Sequence, residues 1–260
     1  MSEKWRFNGF YTKTQLVRWR EQIPKRVSCR DYAGAPGVGQ WTTLSYAAAR
    51  LCLPGVRILL AACDESFFTP MIFNYGRIKG AIRFAAVMAD TTVPRHMIHA
   101  GISGEAFILE AASCGVATCW VAGTYRKKEC PVQLYPGEVL AAVIPLGIAS
   151  KPQEVPVHRK RKPLRWYMEN ASDWMEDAVQ VARAVREAPS AINRQPWRLR
   201  RTSQSISLMA PPNSLDTGIA ILHMEAVLAE AKRQWTLDEG GRLPAARVLL
   251  TGTESNEKAI

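Results

Sequence analysis

Histidine is scarce in this chain, four among 260 residues, and His96, His99, His158 and His223 fall in no Ser/His/Asp or metal-ligand spacing. A hydrolytic triad and a histidine-built metal centre therefore find no support. The six cysteines, at positions 29, 52, 63, 114, 119 and 130, form no C-x-x-C pair, which removes the usual frame for structural zinc. Cys52, Cys63, Cys114 and Cys119 sit among apolar neighbours, where an unpaired thiol behaves as a small hydrophobe. No Gly-rich dinucleotide fingerprint occurs, and no helix-turn-helix, zinc-finger or RNA-binding aromatic signature. Long apolar runs are missing too: "VLAAVIPLGIA" is too short, and "AFILEAASCGVATCWVAG" is interrupted by Glu110 and glycines, so no membrane span is expected. The start, "MSEKWRFNGF", lacks the apolar core of an export signal; with unpaired cysteines this points to a reducing cytoplasm.

Acidic residues are outnumbered, 23 against 34 Lys and Arg, giving a formal net charge of +11 and a pI near 9.6. Such a balance attracts polyanions, yet the basic residues are spread from Lys4 to Lys258. The densest run, "HRKRKPLR" from His158 to Arg165, is either a solvated surface segment or a clamp for phosphate or nucleic acid.

The 47% apolar content is ample for a large core, in one large domain or two small ones. Periodicity predicts a helix near "TKTQLVRWREQI" and a short one at "LSYAAARLCL", stopped by Pro54 and Gly55. "VRILLAAC" reads as a buried strand, "RIKGAIRFAAVMAD" as a basic turn leading into a central strand, and "EVLAAVIPLG" as another interior strand. Between them "GEAFILEAASCG" reads as a buried helix, with Gly115 at its C-cap.

Past the Pro-containing segment 151–165 the character repeats in shorter form. "SDWMEDAVQVARAVREA" is a helix that Ser172 or Asp173 can cap and Pro189 closes. "SISLMA" alternates like an edge strand, and "SLDTGIAILHMEAVLAEAKRQ" is a second long helix on which His223 reads as a satisfied surface residue. "GEAFILEA" and "GIAILHMEA" share an entering glycine and a Glu-Ala ending, a faint sign of internal duplication.

"REAPSAINRQPWRL", Arg186 to Leu199, ends one helix and forbids another, yet keeps several hydrogen-bonding side chains beside two rigid rings. The loop "APSAINRQPW" resembles the signature loop of the FMN-dependent nitroreductase superfamily. "RVSCRDY", Arg26 to Tyr32, resembles that family's R-x-S-x-R phosphate motif. "FNYGRIKGA" is similar to its Asn-x-x-basic segment against the flavin, "GVATCWVAG" to the turn whose backbone faces flavin N5, and "RKRKP" to its closing phosphate-binding residues. In ordinary members the loop follows soon after R-x-S-x-R and two identical chains build two sites. Here the equivalent stretch, "AAARLCLPGVRI", lacks it, and the second half has the loop without the other motifs.

The resemblance therefore implies an α+β, nitroreductase-like fold, internally duplicated, in which residues 1–165 and 166–260 are unequal halves packed as a pseudo-dimer around one FMN. Arg26, Ser28 and Arg30, alternating along the backbone, would turn one way toward the phosphate, with Arg159 and Arg161 closing its far side. Asn74 and Arg77 would reach the pyrimidine edge, Arg77 supplying positive charge there. Trp120 would flank the ring or fill the core, while Val121, Ala122 and Gly123 bring a main-chain N–H close to the flavin. Pro189, Ser190 and Ala191 would line the ring edge; Asn193 would brace the loop or bond the pyrimidine, and Gln195 and Trp197 would be scaffolding. No side-chain acid or base is needed, because flavin N5 accepts and returns the hydride.

The implied activity is ping-pong reduction of a nitroaromatic, quinone or similar small acceptor by NAD(P)H, in a monomer that mimics a dimer. The alternatives are flavin binding without nicotinamide-dependent turnover, another superfamily chemistry such as dehalogenation or desaturation, and a basic nucleic-acid-associated protein.

Overall fold

The computed structural model of the chain describes residues 6–7, 9–68, 77–155, 160–170, 174–203, 205–230, 233–237 and 245–250. Helix α1 (Lys13–Gln22) starts where Thr12 closes a capping box: its hydroxyl accepts the Gln15 N–H at 3.3 Å and its own N–H donates to the Gln15 side chain at 3.0 Å. Helix α2 runs from Val38 to Arg50, longer at its N-terminal end than the stretch expected from periodicity. Strands β2 (Tyr32–Gly34), β3 (Val56–Ala62), β4 (Arg83–Asp90) and β6 (Glu138–Ala149) form an antiparallel sheet in the order β2-β6-β4-β3, with β5 (Ala117–Thr118) also paired to β6.

Strand β4 is central, as its apolar run implies. Strand β3 is not the buried strand its composition suggests: it lies on the sheet edge, with Ile58 buried and Leu59 exposed. An edge strand shows one side to solvent, and Val-Ile-Leu content does not reveal which position in a sheet it takes.

A second sheet, β1-β10-β11-β9-β8-β7, comprises β1 (Arg6–Phe7), β7 (Met168–Glu169), β8 (Arg198–Arg201), β9 (Ser205–Met209), β10 (Arg233–Leu237) and β11 (Ala246–Leu250). The amino end of the chain thus crosses to the sheet built from its carboxyl part. Strand β9 corrects the edge-strand expectation: it lies between β8 and β11 with Ser205 to Leu208 all buried. Its alternating serines are taken up inside, Ser205 by Thr202 at 2.8 Å and Ser207 by Arg247 at 3.2 Å.

Helices α3 (His96–Ser113) and α6 (Leu215–Val227) join the two parts. α3 is followed by Gly115 at φ +72°, the left-handed C-terminal glycine expected from the sequence. The two helices cross where glycines face each other. A Cβ on Gly101 would lie 2.3 Å from the Leu215 carbonyl oxygen, and one on Gly218 would lie 2.2 Å from that of Ile98. The glycines in contact are Gly101 and Gly218, while Gly104 faces the Trp120 ring.

Around this crossing one apolar core collects Val87 and Ile144 from the first sheet and Leu199, Leu208 and Val248 from the second. Past the single turn α4 (Leu164–Tyr167), helix α5 (Glu176–Glu187) adds Ala178, Val181, Ala182 and Val185, all fully buried on one stripe. Its N-cap is Met175, two or three residues later than the suggested Ser172 or Asp173, which lie outside the described residues.

Candidate functional site

The strip Arg26–Tyr32 is held on both sides by backbone. Cys29 N–H donates to the Thr118 carbonyl at 2.8 Å on one side; on the other, Lys79 N–H donates to Arg30 at 2.9 Å and Tyr32 N–H returns a bond to Lys79 at 3.0 Å. Its arginines diverge in environment. Arg26 is buried, 5% exposed, whereas Arg30 lies exposed. Arg26 and Ser28 come together, with Nη1 of Arg26 3.4 Å from the Ser28 hydroxyl, while Arg30 is open to solvent. Arg77 is exposed, two residues before Lys79, and Asn74 lies outside the described residues.

The turn after β5 is fixed by a reciprocal backbone pair, Val121 with Val143 at 3.0 and 2.9 Å. Trp120 is turned inward. Its ring occupies the space over Gly104, where a Cβ would meet Trp120 Cη2 at 2.2 Å, and its indole N–H donates to Glu105 Oε2 at 2.7 Å. Ala122 and Gly123 are exposed, with open space where a Gly123 side chain would be, so ligand atoms can approach this backbone.

The loop after α5 is a self-bonded knot. Ser190 Oγ accepts Gln195 N–H at 2.9 Å, and the Gln195 amide donates to the Asn193 carbonyl at 3.0 Å. Gln195 Oε1 accepts from Lys162 N–H at 2.9 Å and from the Tyr167 hydroxyl. Gln195 and Trp197 are buried, as scaffolding residues are. Ile192, Asn193 and Gln195 hold φ of 44°, 57° and 52°, and left-handed non-glycine residues cost about 1–3 kcal/mol each. Such a conformation persists only where its surroundings over-determine it. Ala191 N–H is anchored on Asp216 at 3.0 Å, in the first turn of α6. Burial raises the Asp216 pKa, against the pull of that N–H and of Arg194. Pro189 and Ser190 are half-buried, while Ala191 and Ile192 are exposed.

Arg161 is engaged by this loop. Its guanidinium donates to Asn193 Oδ1 at 2.9 Å and to the Glu187 carbonyl at 3.1 Å, while Asn193 donates to the Lys160 carbonyl at 2.8 Å. Arg159 lies outside the described residues. Farther along the basic run, Lys162 Nζ and the Arg198 guanidinium lie 4.4 and 3.9 Å from the centroid of the Trp166 ring. Arg161 and Lys162 of the run are therefore folded onto their own chain.

Glu105, which sequence reasoning passed over, connects these pieces. It is fully buried; besides Trp120 it meets His223 Nε2 at 3.0 Å and Arg26 Nε at 3.7 Å through Oε1. His223 is not a surface residue: it is fully buried, and Nδ1 lies 2.9 Å from the Ala184 carbonyl of α5. Burial works to raise the Glu105 pKa, but the His223 hydrogen bond, the Arg26 and His223 charges and the Trp120 bond outweigh it, and the net shift is downward. The available signal was a glutamate and a histidine set amid apolar stretches, "GEAFIL" in α3 and "AILHM" in α6.

A cavity of about 480 Å³ opens beside Gly115, Ala117 and residues 148–153, and none of the residues expected to hold the flavin lines it. Among the described residues no group of His, Cys, Asp and Glu could hold a metal ion, and no helix is long and apolar enough to cross a membrane.

Residues 19–228 match the sequence pattern of the family described as "Putative TM nitroreductase". Among solved structures, a protein of Thermotoga maritima described as a putative nitroreductase is similar over 96% of this chain and 98% of its own, at 18% identity and a TM-score of 0.61. A nitroreductase family protein from Clostridium difficile matches 58% of this chain and 96% of its own, at 19% identity and a TM-score of 0.47. A nitroreductase with bound FMN from Desulfitobacterium hafniense matches 55% and 95%, at 18% identity and a TM-score of 0.42. No curated protein matches the sequence.

Proposed function

Because the chain belongs to the family described as "Putative TM nitroreductase", we propose that it is an FMN-dependent oxidoreductase that oxidises NAD(P)H and reduces a small acceptor such as a nitroaromatic or quinone. The observation that carries this reading is the R-x-S-x-R strip, clamped between Thr118 and Lys79 beside the open Ala122–Gly123 backbone. The donor set suits the group. Arg26 with Ser28, and the exposed Arg30, offer guanidinium and hydroxyl donors for a phosphate; an exposed small-residue backbone admits a flat ring with a polar edge.

When bound, FMN supplies the capacity to take hydride from a nicotinamide and to release reducing equivalents to a second substrate. The chain's own residues bind, orient and stabilise. We assign the phosphate to Arg26, Ser28, Arg30 and Arg159, and charge stabilisation at the pyrimidine edge to Arg77, with Asn74 beside it. The backbone of Val121–Gly123 serves the ring. Pro189, Ser190 and Ala191 supply the contribution that a partner subunit makes in two-chain members. In this reading Trp120 acts from beneath the turn as packing, and Arg161 and Asn193 hold the loop.

The halves, 1–165 and 166–260, then form one composite site in a monomer, with the amino-terminal β1 crossing to the second sheet. Titrating FMN into the apoprotein, with the mass measured by light scattering, tests this. One FMN per monomer is expected; two per chain, or binding only by a dimer, would contradict the composite site.

A further inference from the structure

A charged residue inside an apolar helix is costly, and a well-packed hydrophobic side chain serves stability at such a place as well or better. Glu105 sits in that position, fully buried in α3 with wholly buried Ala106, Phe107, Ile108 and Leu109 following it. Its partners come from separate parts of the chain. Arg26 opens the R-x-S-x-R strip, Trp120 opens the turn that presents Ala122 and Gly123, and His223 belongs to α6. His223 in turn faces the carbonyl of Ala184, in the helix that leads into the Pro189–Trp197 loop. Gly104 is shaped to the same end, since a side chain there would displace the Trp120 ring.

The two carboxylate oxygens divide the work. Oε2 takes the indole N–H; Oε1 lies between the imidazole at 3.0 Å and the Nε edge of Arg26 at 3.7 Å. With its Nε edge facing Glu105, Arg26 has Nη1 turned to Ser28. Both ring nitrogens of His223 face oxygen, a carbonyl on one side and the carboxylate on the other, so its orientation is fixed by α5 and α3 together.

We propose that Glu105 is a positioning residue for phosphate recognition: it fixes the Arg26 guanidinium beside Ser28 and is itself held in place by His223 of the second half. The proposal rests on the flavin reading of the R-x-S-x-R strip and adds to it a dependence on the second half of the chain.

A comparison of FMN with riboflavin, which lacks the phosphate, isolates this role from general folding. Apoprotein is titrated with each flavin by fluorescence quenching, and melting is followed in parallel by circular dichroism. The wild type is expected to prefer FMN. Glu105→Gln should weaken FMN binding about tenfold or more, the scale of one charge-assisted hydrogen bond, while riboflavin binding stays within about twofold. Should Glu105→Gln fail to fold, Glu105→Asp, which keeps the charge but withdraws the carboxylate, should narrow the FMN preference in the same way. His223→Gln should narrow it by a smaller factor.

A folded Glu105→Gln or Glu105→Asp protein that keeps the full FMN preference would overturn the proposal while leaving the flavin site standing. Equal losses for FMN and riboflavin would also overturn it, since they indicate a structural role alone. A wild-type protein that binds neither flavin would remove the flavin reading together with the proposal.

Discussion

Replacing Gly218 by alanine sets two effects against each other. Alanine favours helix over glycine by about 1 kcal/mol, so in an exposed helix the change would stabilise. At the α3–α6 crossing the new methyl would lie 2.2 Å from the Ile98 carbonyl oxygen and 2.8 Å from Gly101 Cα. Both obstacles are backbone atoms, and no rotamer change can clear them. The helices must move apart by about 1 Å to reach ordinary contact, and a gap of that size forfeits roughly a quarter to a half of the dispersion well for each pair of atoms across it. Overpacking of this kind costs about 1–3 kcal/mol and occasionally more. With steric cost at the upper end and the propensity gain subtracted, the expected net loss is about 2 kcal/mol. At about 2–4 °C per kcal/mol for a chain of this size, Tm should fall by about 4–8 °C. Urea denaturation and calorimetry measure it, and Gly101→Ala should behave alike, with the double variant less than additive because both methyls open the same contact. A Gly218→Ala protein as stable as the wild type, or more so, would refute a close helix crossing at this point.

Three further outcomes follow from the same contacts. Gln195→Ala should destabilise by about 3 kcal/mol in urea, because it strands the Lys162 N–H and the buried Tyr167 hydroxyl at about 1–3 kcal/mol each; an unchanged midpoint would deny the amide its bracing role. Acid sensitivity should run through Glu105, whose folded pKa lies below its unfolded value. The stability it adds is present above about pH 4.3, the ordinary Glu value, and is lost as pH falls through the folded value. A pH series of urea midpoints should therefore be flatter below the ordinary Glu range in a folded Glu105→Gln variant, and parallel curves would contradict this. Trp120→Phe keeps the packing over Gly104 but removes the indole donor; it should cost about 1–3 kcal/mol by calorimetry, and a neutral result would mean that water replaces the donor at Glu105.

Much of the architecture was legible because it is locally written. Gly115 ends α3 through a bond to its own neighbour Ala112, and the apolar runs of β4 and β6 reflect burial on both faces. Sheet position was not. The exposed edge of β3 and the interior place of β9 depend on which strands pair with them, and pairing partners lie far away in sequence.

The candidate site divides in the same way. The R-x-S-x-R strip and the late loop were marked by their resemblance to family motifs, and the burial of Gln195 and Trp197 agrees with the scaffolding role expected of them. Glu105 and His223 did not, because a buried charge is recognisable only by its partners, and those come from positions 26, 120 and 184. Arg161 was expected at a phosphate from the resemblance of "RKRKP" to a family motif; the structure turns it to Asn193 and Glu187, contacts that no local pattern encodes.

The central claim, that the chain is a flavin-dependent oxidoreductase, is tested most directly by an anaerobic spectrum. FMN-loaded protein is mixed with NADH or NADPH in the absence of oxygen, and the yellow absorbance of the oxidised flavin is followed. The account predicts that at least one nicotinamide bleaches it and that a quinone or nitroaromatic then restores it. Bound FMN that stays oxidised with both nicotinamides would contradict the account.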